Sequence, residues 1–293
     1  MVISEYHSIV VMPGMEKPFP TILAFLIQRF PGIDTQIWEA RIRSGKVLTE
    51  DGEPISLETA YQPLKRLRYF REVVEESVIP FTETIVFCND ELLVACKPHF
   101  LPVTPAGPYV NQCLLHRLKK RTGNRNISPI NRIDRETAGL VLFSMNPKTR
   151  GRYQALFMNG KVQKTYDAVT TYPWDPKRTS WTIENRIIKG DPWFRMKAVP
   201  GTPNAVSNID LVESRGNRAL FRLSPVTGKK HQLRLHLSGL GFAILNDRYY
   251  PKLLPERKDD FSAPLQLLAR KIQFTDPVSK KQVRYESERR LLL

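Results

Sequence analysis

Residues 131–144, NRIDRETAGLVLFS, set Asp134 between Arg132 and Arg135, pass through the turn-prone Thr137-Ala138-Gly139, and end in an apolar, strand-like run. A carboxylate between two guanidiniums is favoured in its charged form, because nearby positive charge stabilises the anion. Such an anion can serve as nucleophile or general base, and the arginines would hold a polyanion above it. The spacing equally suits an aspartate that folds a turn with its own backbone, as Asp does ahead of Thr and Gly. A second segment weighs against that plainer reading. Residues 224–251, SPVTGKKHQLRLHLSGLGFAILNDRYYP, cluster Thr227, Gly228, Lys229, His231, Gln232, Arg234 and His236. Two separate cationic segments, each with turn chemistry beside a strand, predict one composite site for an anionic ligand.

The two segments together resemble the RluA-type family of RNA pseudouridine synthases. The family's signatures read roughly H-R-L-D-R-x-T-S-G-L, then T-G-R-x-H-Q-I-R-x-H-L followed by G-x-P-I-x-G-D-x-x-Y. Here they stand as NRIDRETAGL and TGKKHQLRLHLSGLGFAILNDRYY. ELLVACKPHFLPVTP at 91–105 and VQKTYDAV at 162–169 add two further matches in the family's order, so the resemblance covers about 82–275. Asn131 replaces the usual His, Ala138 the usual Ser, Lys229 the usual Arg and Asn246 the usual Gly. None of these is the position of the catalytic aspartate.

The resemblance implies an isomerase that converts uridine in structured RNA to pseudouridine, with large-subunit (23S) rRNA ahead of tRNA as substrate. It makes Asp134 the catalytic carboxylate and Arg234 the guanidinium that orients it. Tyr166 becomes the ring that stacks on the flipped base, and Arg132 the side chain that fills the gap the base leaves. Leu267 would line the pocket, with Arg135, Lys164, Lys229, His231 and Gln232 as further RNA contacts. No cofactor is implied. His231 and His236 are five apart, which does not align two imidazoles on one helical face, so no metal site is expected. The rival readings are a non-catalytic RNA-binding or rRNA assembly protein, and an RNA-cleaving enzyme using the two histidines.

Composition fits an RNA partner. The 293 residues carry 45 Lys and Arg against 29 Asp and Glu, a net charge of +16, and 41% hydrophobic residues, enough for a sizeable core. Residues 116–135 hold Arg117, Lys119, Lys120, Arg121, Arg125, Arg132 and Arg135 against the single acid Asp134. Such a run reads as a solvated face or an RNA-binding one. Cys88, Cys96 and Cys113 show no C-x-x-C spacing, which argues against zinc and disulfides and for a reducing cytoplasm. No signal peptide and no membrane span of about 20 apolar residues is evident. A cytoplasmic monomer with no obligate protein partner is expected.

The elements fall into two groups. TILAFLIQRF sets Ile22, Leu23, Leu26, Ile27 and Phe30 on one helical face ended by Pro31-Gly32, and Asp34 or Thr35 caps a second helix stopped by Gly45. KVLTEDGEPI then supplies a strand and an Asp51-Gly52 turn. Helix, helix, Gly and strand resemble the S4-type RNA-binding domain that precedes the catalytic domain in several family members, with Arg41, Arg43 and Lys46 as its RNA face. An ordinary helical cap over the main domain is the alternative. The expected division is 1–77 for this S4-like unit and 78–293 for the catalytic unit. Strands are predicted at TIVFC, ELLVACK, GLVLFS, TYDAVTTY, NIDLVESRGNRALFRLSP and RKIQFTDPVSKKQVRYE, and helices near 110–122, 148–158 and 230–239. Many strands with few helices mean an α+β fold on a mixed, mostly antiparallel central sheet.

Overall fold

The computed structural model describes residues 1–171, 178–255 and 260–293. Tyr172, the last residue of the predicted strand TYDAVTTY, lies outside them. The chain forms two compact units, Met1–Glu76 with Ala106–Asn111, and Ser77–Pro105 with Gln112–Leu293. Among the described residues no helix is long and apolar enough to cross a membrane.

In the first unit, helix Ile22–Arg29 is capped by Thr21, whose hydroxyl accepts the Ala24 N–H, and helix Thr35–Arg43 by Asp34, whose carboxylate accepts the Gln36 N–H. Ile22, Phe25, Leu26, Trp38 and Ile42 bury their faces against a small sheet in the order Ser8–Val11, Arg66–Tyr69, Val47–Leu48. The basic segment YQPLKRLRYFRE therefore supplies the middle strand, with Leu67 turned into the core. Arg41 does not join an outward basic face. It is buried, lies over the Trp38 ring at 5.0 Å, and pairs with Glu72 at 3.1 Å. Lys46 also pairs with Glu72, and Arg43 alone of the three is largely exposed.

The second unit carries, among the described residues, an eleven-stranded sheet. Its main path runs Met196–Val199, Ser180–Lys189, Ala205–Arg215, Arg218–Pro225, Gln163–Thr171, Leu267–Thr275, Ala138–Ser144, Leu92–Lys97 and Thr84–Cys88. Gln282–Glu286 adds to Leu267–Thr275, and Ser128–Pro129 to Ala138–Ser144. The described pairings are antiparallel except where Ala138 and Gly139 run parallel to Leu268 and Ala269. The fold is α+β on a mixed, mostly antiparallel sheet. Helices Leu114–Thr122, Arg150–Met158 and Gln232–Gly239 accompany it. Leu92–Lys97 and Ala138–Ser144 are buried at every residue, which is why each reads as an apolar run. Ser180–Lys189 and Met196–Val199 were not expected as strands; polar residues interrupt the apolar ones in both, so no unbroken apolar run announces them.

The short parallel contact explains one motif residue. Gly139 has φ +110°, and a Cβ there would lie 2.3 Å from the Ala269 carbonyl oxygen. Only glycine lets the two strands cross so closely, five residues after Asp134. Gly139→Ala should therefore cost about 3–5 kcal/mol of stability, combining backbone strain with overpacking. Urea unfolding checks this, and a loss below about 1 kcal/mol would refute the account.

Candidate active site

Asp134 sits on a turn that leads into the buried strand Ala138–Ser144, closed by the Thr137 N–H donating to the Asp134 carbonyl at 3.2 Å. The main chain of this turn is fastened from beneath. The ammonium of Lys97, wholly buried at the end of its strand, donates to the carbonyls of Arg135 and Pro98, both at 2.9 Å, and His99 Nδ1 lies 2.7 Å from the Glu136 carbonyl. Burial pushes Lys97 down to about 7 and His99 down to about 4. With the turn's backbone committed, the Asp134 side chain is free to point elsewhere.

It points at the other signature. Arg234 Nη1 is 3.3 Å from Asp134 Oδ2, and His231 Nε2 is 3.8 Å from the same oxygen. The Asp134 side chain keeps 27% of its surface exposed, so this carboxylate is held but not sealed. Arg234 sits in the first turn of helix Gln232–Gly239, buried, and is fixed by a two-pronged bond to Asp247, Nε to Oδ2 at 2.8 Å and Nη2 to Oδ1 at 2.6 Å. Asp247 Oδ1 also accepts the N–H groups of Tyr249 and Tyr250. The guanidinium lies over the Tyr249 ring at 4.8 Å and the Tyr250 ring at 5.5 Å. Burial opposes the charge on Arg234, but the bonds and charges of Asp247 and Asp134 outweigh it and hold its pKa above the ordinary range. Asp247 thus neutralises and locks Arg234, and Arg234 orients Asp134. Burial holds His231 down to about 4, so its imidazole is neutral at pH 7; its Nδ1 lies 3.0 Å from the Tyr250 hydroxyl.

Tyr166 lies half-buried on strand Gln163–Thr171, and its register partner on one side is Ala269, the residue that abuts Gly139. Burial and then the charge of Asp134 push its phenol up to about 12. Leu267 is buried, in the apolar cluster against which Tyr166 packs. Lys164 donates to the Thr227 carbonyl at 3.1 Å, tying the two motifs together behind the site. Gln232 is buried and spends its amide inside the protein, accepting from Thr227 Oγ1 and the Lys229 N–H and donating to the Val206 carbonyl and Ser207 Oγ. Lys229 and Arg132 are exposed, and so is Arg135, which pairs with Glu136 at 2.7 Å. The guanidinium at the Asp134 carboxylate is accordingly Arg234 and not the adjacent Arg135. His236 is buried apart from Asp134, bonded to Asn185 at 3.1 Å beside a cavity of about 270 Å³.

Residues 91–239 match the family described as RNA pseudouridylate synthase, a span of half the chain that includes Asp134, Tyr166 and Arg234. The chain belongs to the RNA pseudouridylate synthase family. It is 25% identical over 245 residues to RNA pseudouridine synthase 7 of Arabidopsis thaliana, covering 78% of this chain and 60% of that protein. It is 26% identical over 231 residues to the mitochondrial tRNA pseudouridine(32) synthase of Saccharomyces cerevisiae, covering 76% and 49%. The match therefore spans less than two thirds of the length of both relatives. The solved structure titled Human RNA Pseudouridylate Synthase Domain Containing 4 aligns over 70% of this chain and 87% of its own, at a TM-score of 0.55 and 26% identity.

Within this family member, sequence reasoning overlooked the supporting residues. Lys97 stands at the end of the matched run ELLVACK, and nothing in that pattern says that it is a buried clamp on the Asp134 turn. Asp247 had a visible signal, since it stands in the motif segment NDRYYP, yet nothing in the pattern says that it faces Arg234. Asn246, where the family's glycine is usual, adopts φ 65°, a left-handed conformation that Asn tolerates better than most residues. Of the basic run at 116–135, Arg117 faces inward and donates to the Ile79 and Phe81 carbonyls, while Lys120, Arg121 and Arg125 remain exposed.

Proposed function

We propose that this chain isomerises uridine in structured RNA to pseudouridine, with Asp134 as the indispensable group. The observation that carries this reading is the accessible Asp134 carboxylate held 3.3 Å from a buried guanidinium 100 residues away. The reaction breaks the bond from ribose C1′ to N1, turns the base, and joins C1′ to C5. The C5 proton leaves to solvent and N1 gains one, so no redox partner or energy source is required. Asp134 acts at the sugar, either attacking C1′ or removing a ribose proton. Arg234 holds the carboxylate in place and aims it. Tyr166 stacks on the extruded uracil and helps offset the few kcal/mol of lost stacking. Incubation with RNA tritiated at uridine C5 tests the proposal: isomerisation frees the label, whereas binding alone or strand cleavage leaves it in place.

Residues 1–77 form, in this reading, an S4-like RNA-binding unit ahead of a catalytic unit at 78–293. Its two capped helices, followed by the left-handed Gly45 and a strand, support that assignment. It favours large-subunit rRNA as the target. The name of the yeast relative favours tRNA instead, and pseudouridine maps of total RNA from cells with and without the gene separate the two.

Tyr166 and Lys120 divide binding from turnover. Tyr166→Ala should lower tritium release by about 10²–10⁴-fold with RNA affinity changed much less. Lys120→Ala, on the exposed end of helix Leu114–Thr122, should weaken binding and flatten its salt dependence by about one counterion. Equal effects of both substitutions on affinity and turnover would contradict these roles.

A further inference from the structure

Strands Ser180–Lys189 and Met196–Val199 are joined by a short loop whose tip carries Trp193. The loop is tightly folded. Lys189 pairs with Met196, the Gly190 N–H donates to the Arg195 carbonyl at 2.9 Å, and the Arg195 N–H donates to the Pro192 carbonyl at 2.8 Å. Arg195 is pinned in turn, its Nη2 donating to the Pro251 carbonyl at 3.1 Å and its guanidinium lying over the Tyr250 ring at 5.1 Å. On this anchored hairpin Trp193 is 77% exposed, a large ring that the core does not use.

Two chains of contact lead from that ring to the Asp134 carboxylate. In one, Phe194 meets Trp193 edge-on at 5.9 Å and Tyr249 at 5.3 Å, and Tyr249 lies under the Arg234 guanidinium that orients Asp134. In the other, the Lys230 ammonium stands 5.7 Å from the Trp193 ring centre, and its neighbour His231 lies 3.8 Å from the carboxylate. A cation beside an exposed indole, one residue from the catalytic constellation, is the pairing that single-stranded nucleic acid uses: a ring for a base and an ammonium for its phosphate.

We propose that Trp193 is a stacking platform for the nucleobase adjacent to the target uridine, with Lys230 holding the phosphate between them. The proposal rests on the isomerase reading, because swinging a uridine into the Asp134 site strips a stacking partner from its neighbour. Trp193 replaces that partner. Charge favours RNA over an apolar protein surface as the occupant, since Lys229 and Lys230 are both exposed at the start of the same segment and the chain carries a net +16. Stacking accepts any base, so the platform positions the substrate strand and leaves the identity of the flanking nucleotide open.

The experiment compares full-length wild type, Trp193→Ala and Trp193→Phe on RNA from cells that lack the gene. Three other tryptophans contribute to the fluorescence, so the difference between wild type and Trp193→Phe isolates the Trp193 signal. RNA should quench that difference. Trp193→Ala should raise Kd and KM for RNA about tenfold with a smaller change in kcat, and Trp193→Phe should stay within about threefold of wild type. A Trp193 signal unmoved by RNA, an unchanged KM in Trp193→Ala, or equal losses in the Ala and Phe variants would each overturn the proposal. If wild type frees no tritium while RNA still quenches Trp193 with the same ranking of variants, the platform stands and the isomerase reading falls. If tritium is freed with Trp193 unquenched, the isomerase reading stands and the platform falls.

Discussion

Tritium release from uridine C5 is expected to fall by at least about 10³-fold in Asp134→Asn, while RNA affinity stays within about threefold and the urea midpoint barely moves. The geometry explains the separation. Asparagine fills the same volume and keeps an oxygen to accept from Arg234, but it carries no charge and can neither attack a carbon nor take a proton. The buried Arg234 is not left uncompensated, because Asp247 holds it through two bonds of 2.8 and 2.6 Å, both shorter than the 3.3 Å contact to Asp134. Asp247→Asn should behave in the opposite way. It weakens the two-pronged anchor of a buried guanidinium and should cost about 3–5 kcal/mol, so activity and stability fall together. Parallel tritium assays and urea unfolding distinguish the reacting carboxylate from the supporting one. An Asp134→Asn protein that keeps more than about a tenth of wild-type turnover would refute the assignment.

The pairing of Asp134 with Arg234 was legible because two short motifs, each with its own turn and strand, had to meet if they served one ligand. Strands such as Leu92–Lys97 and Ala138–Ser144 were legible because burial on both faces leaves an unbroken apolar run. What stayed hidden shares one cause. The charges of Lys97, Arg41 and Arg117 look alike in a sequence whether they face water or carbonyls, and all three turn inward on partners far along the chain: Arg135 for Lys97, Glu72 for Arg41, Ile79 and Phe81 for Arg117. Local pattern shows that a side chain is basic; only tertiary packing shows what it holds. Ser180–Lys189 escaped for a different reason: Trp181, Ile183 and Ile187 turn inward but stand apart among polar residues, with Asn185 where the alternation calls for an apolar one, so no unbroken apolar run marks the strand.

Those inward-facing groups also determine how the fold responds to acid. Burial holds the imidazoles of His99, His231 and His236 down to about 4, against 6.5 for an exposed histidine. For His231 the Asp134 charge pulls the other way without overcoming burial. Between pH 6.5 and 4 the unfolded chain binds protons at these positions that the folded chain does not, so stability falls as pH falls through that window. Each histidine contributes on the order of 3 kcal/mol across the full window, and three together rival the whole stability of an ordinary domain. Lys97 acts in the same direction at higher pH: burial pushes it down to about 7, so folding expels a proton between about pH 7 and 10.5 and stability rises with pH there too. The expected result is a free energy of unfolding that drops by several kcal/mol from pH 7 to pH 4.5, read from urea unfolding curves. His236→Gln, neutral at every pH and able to keep a bond to Asn185, should reduce the slope by about one histidine's share. A free energy of unfolding that holds constant between pH 7 and 4.5 would mean that these imidazoles take up protons inside the folded protein as readily as in water, and the buried support drawn around Asp134 would then be wrong.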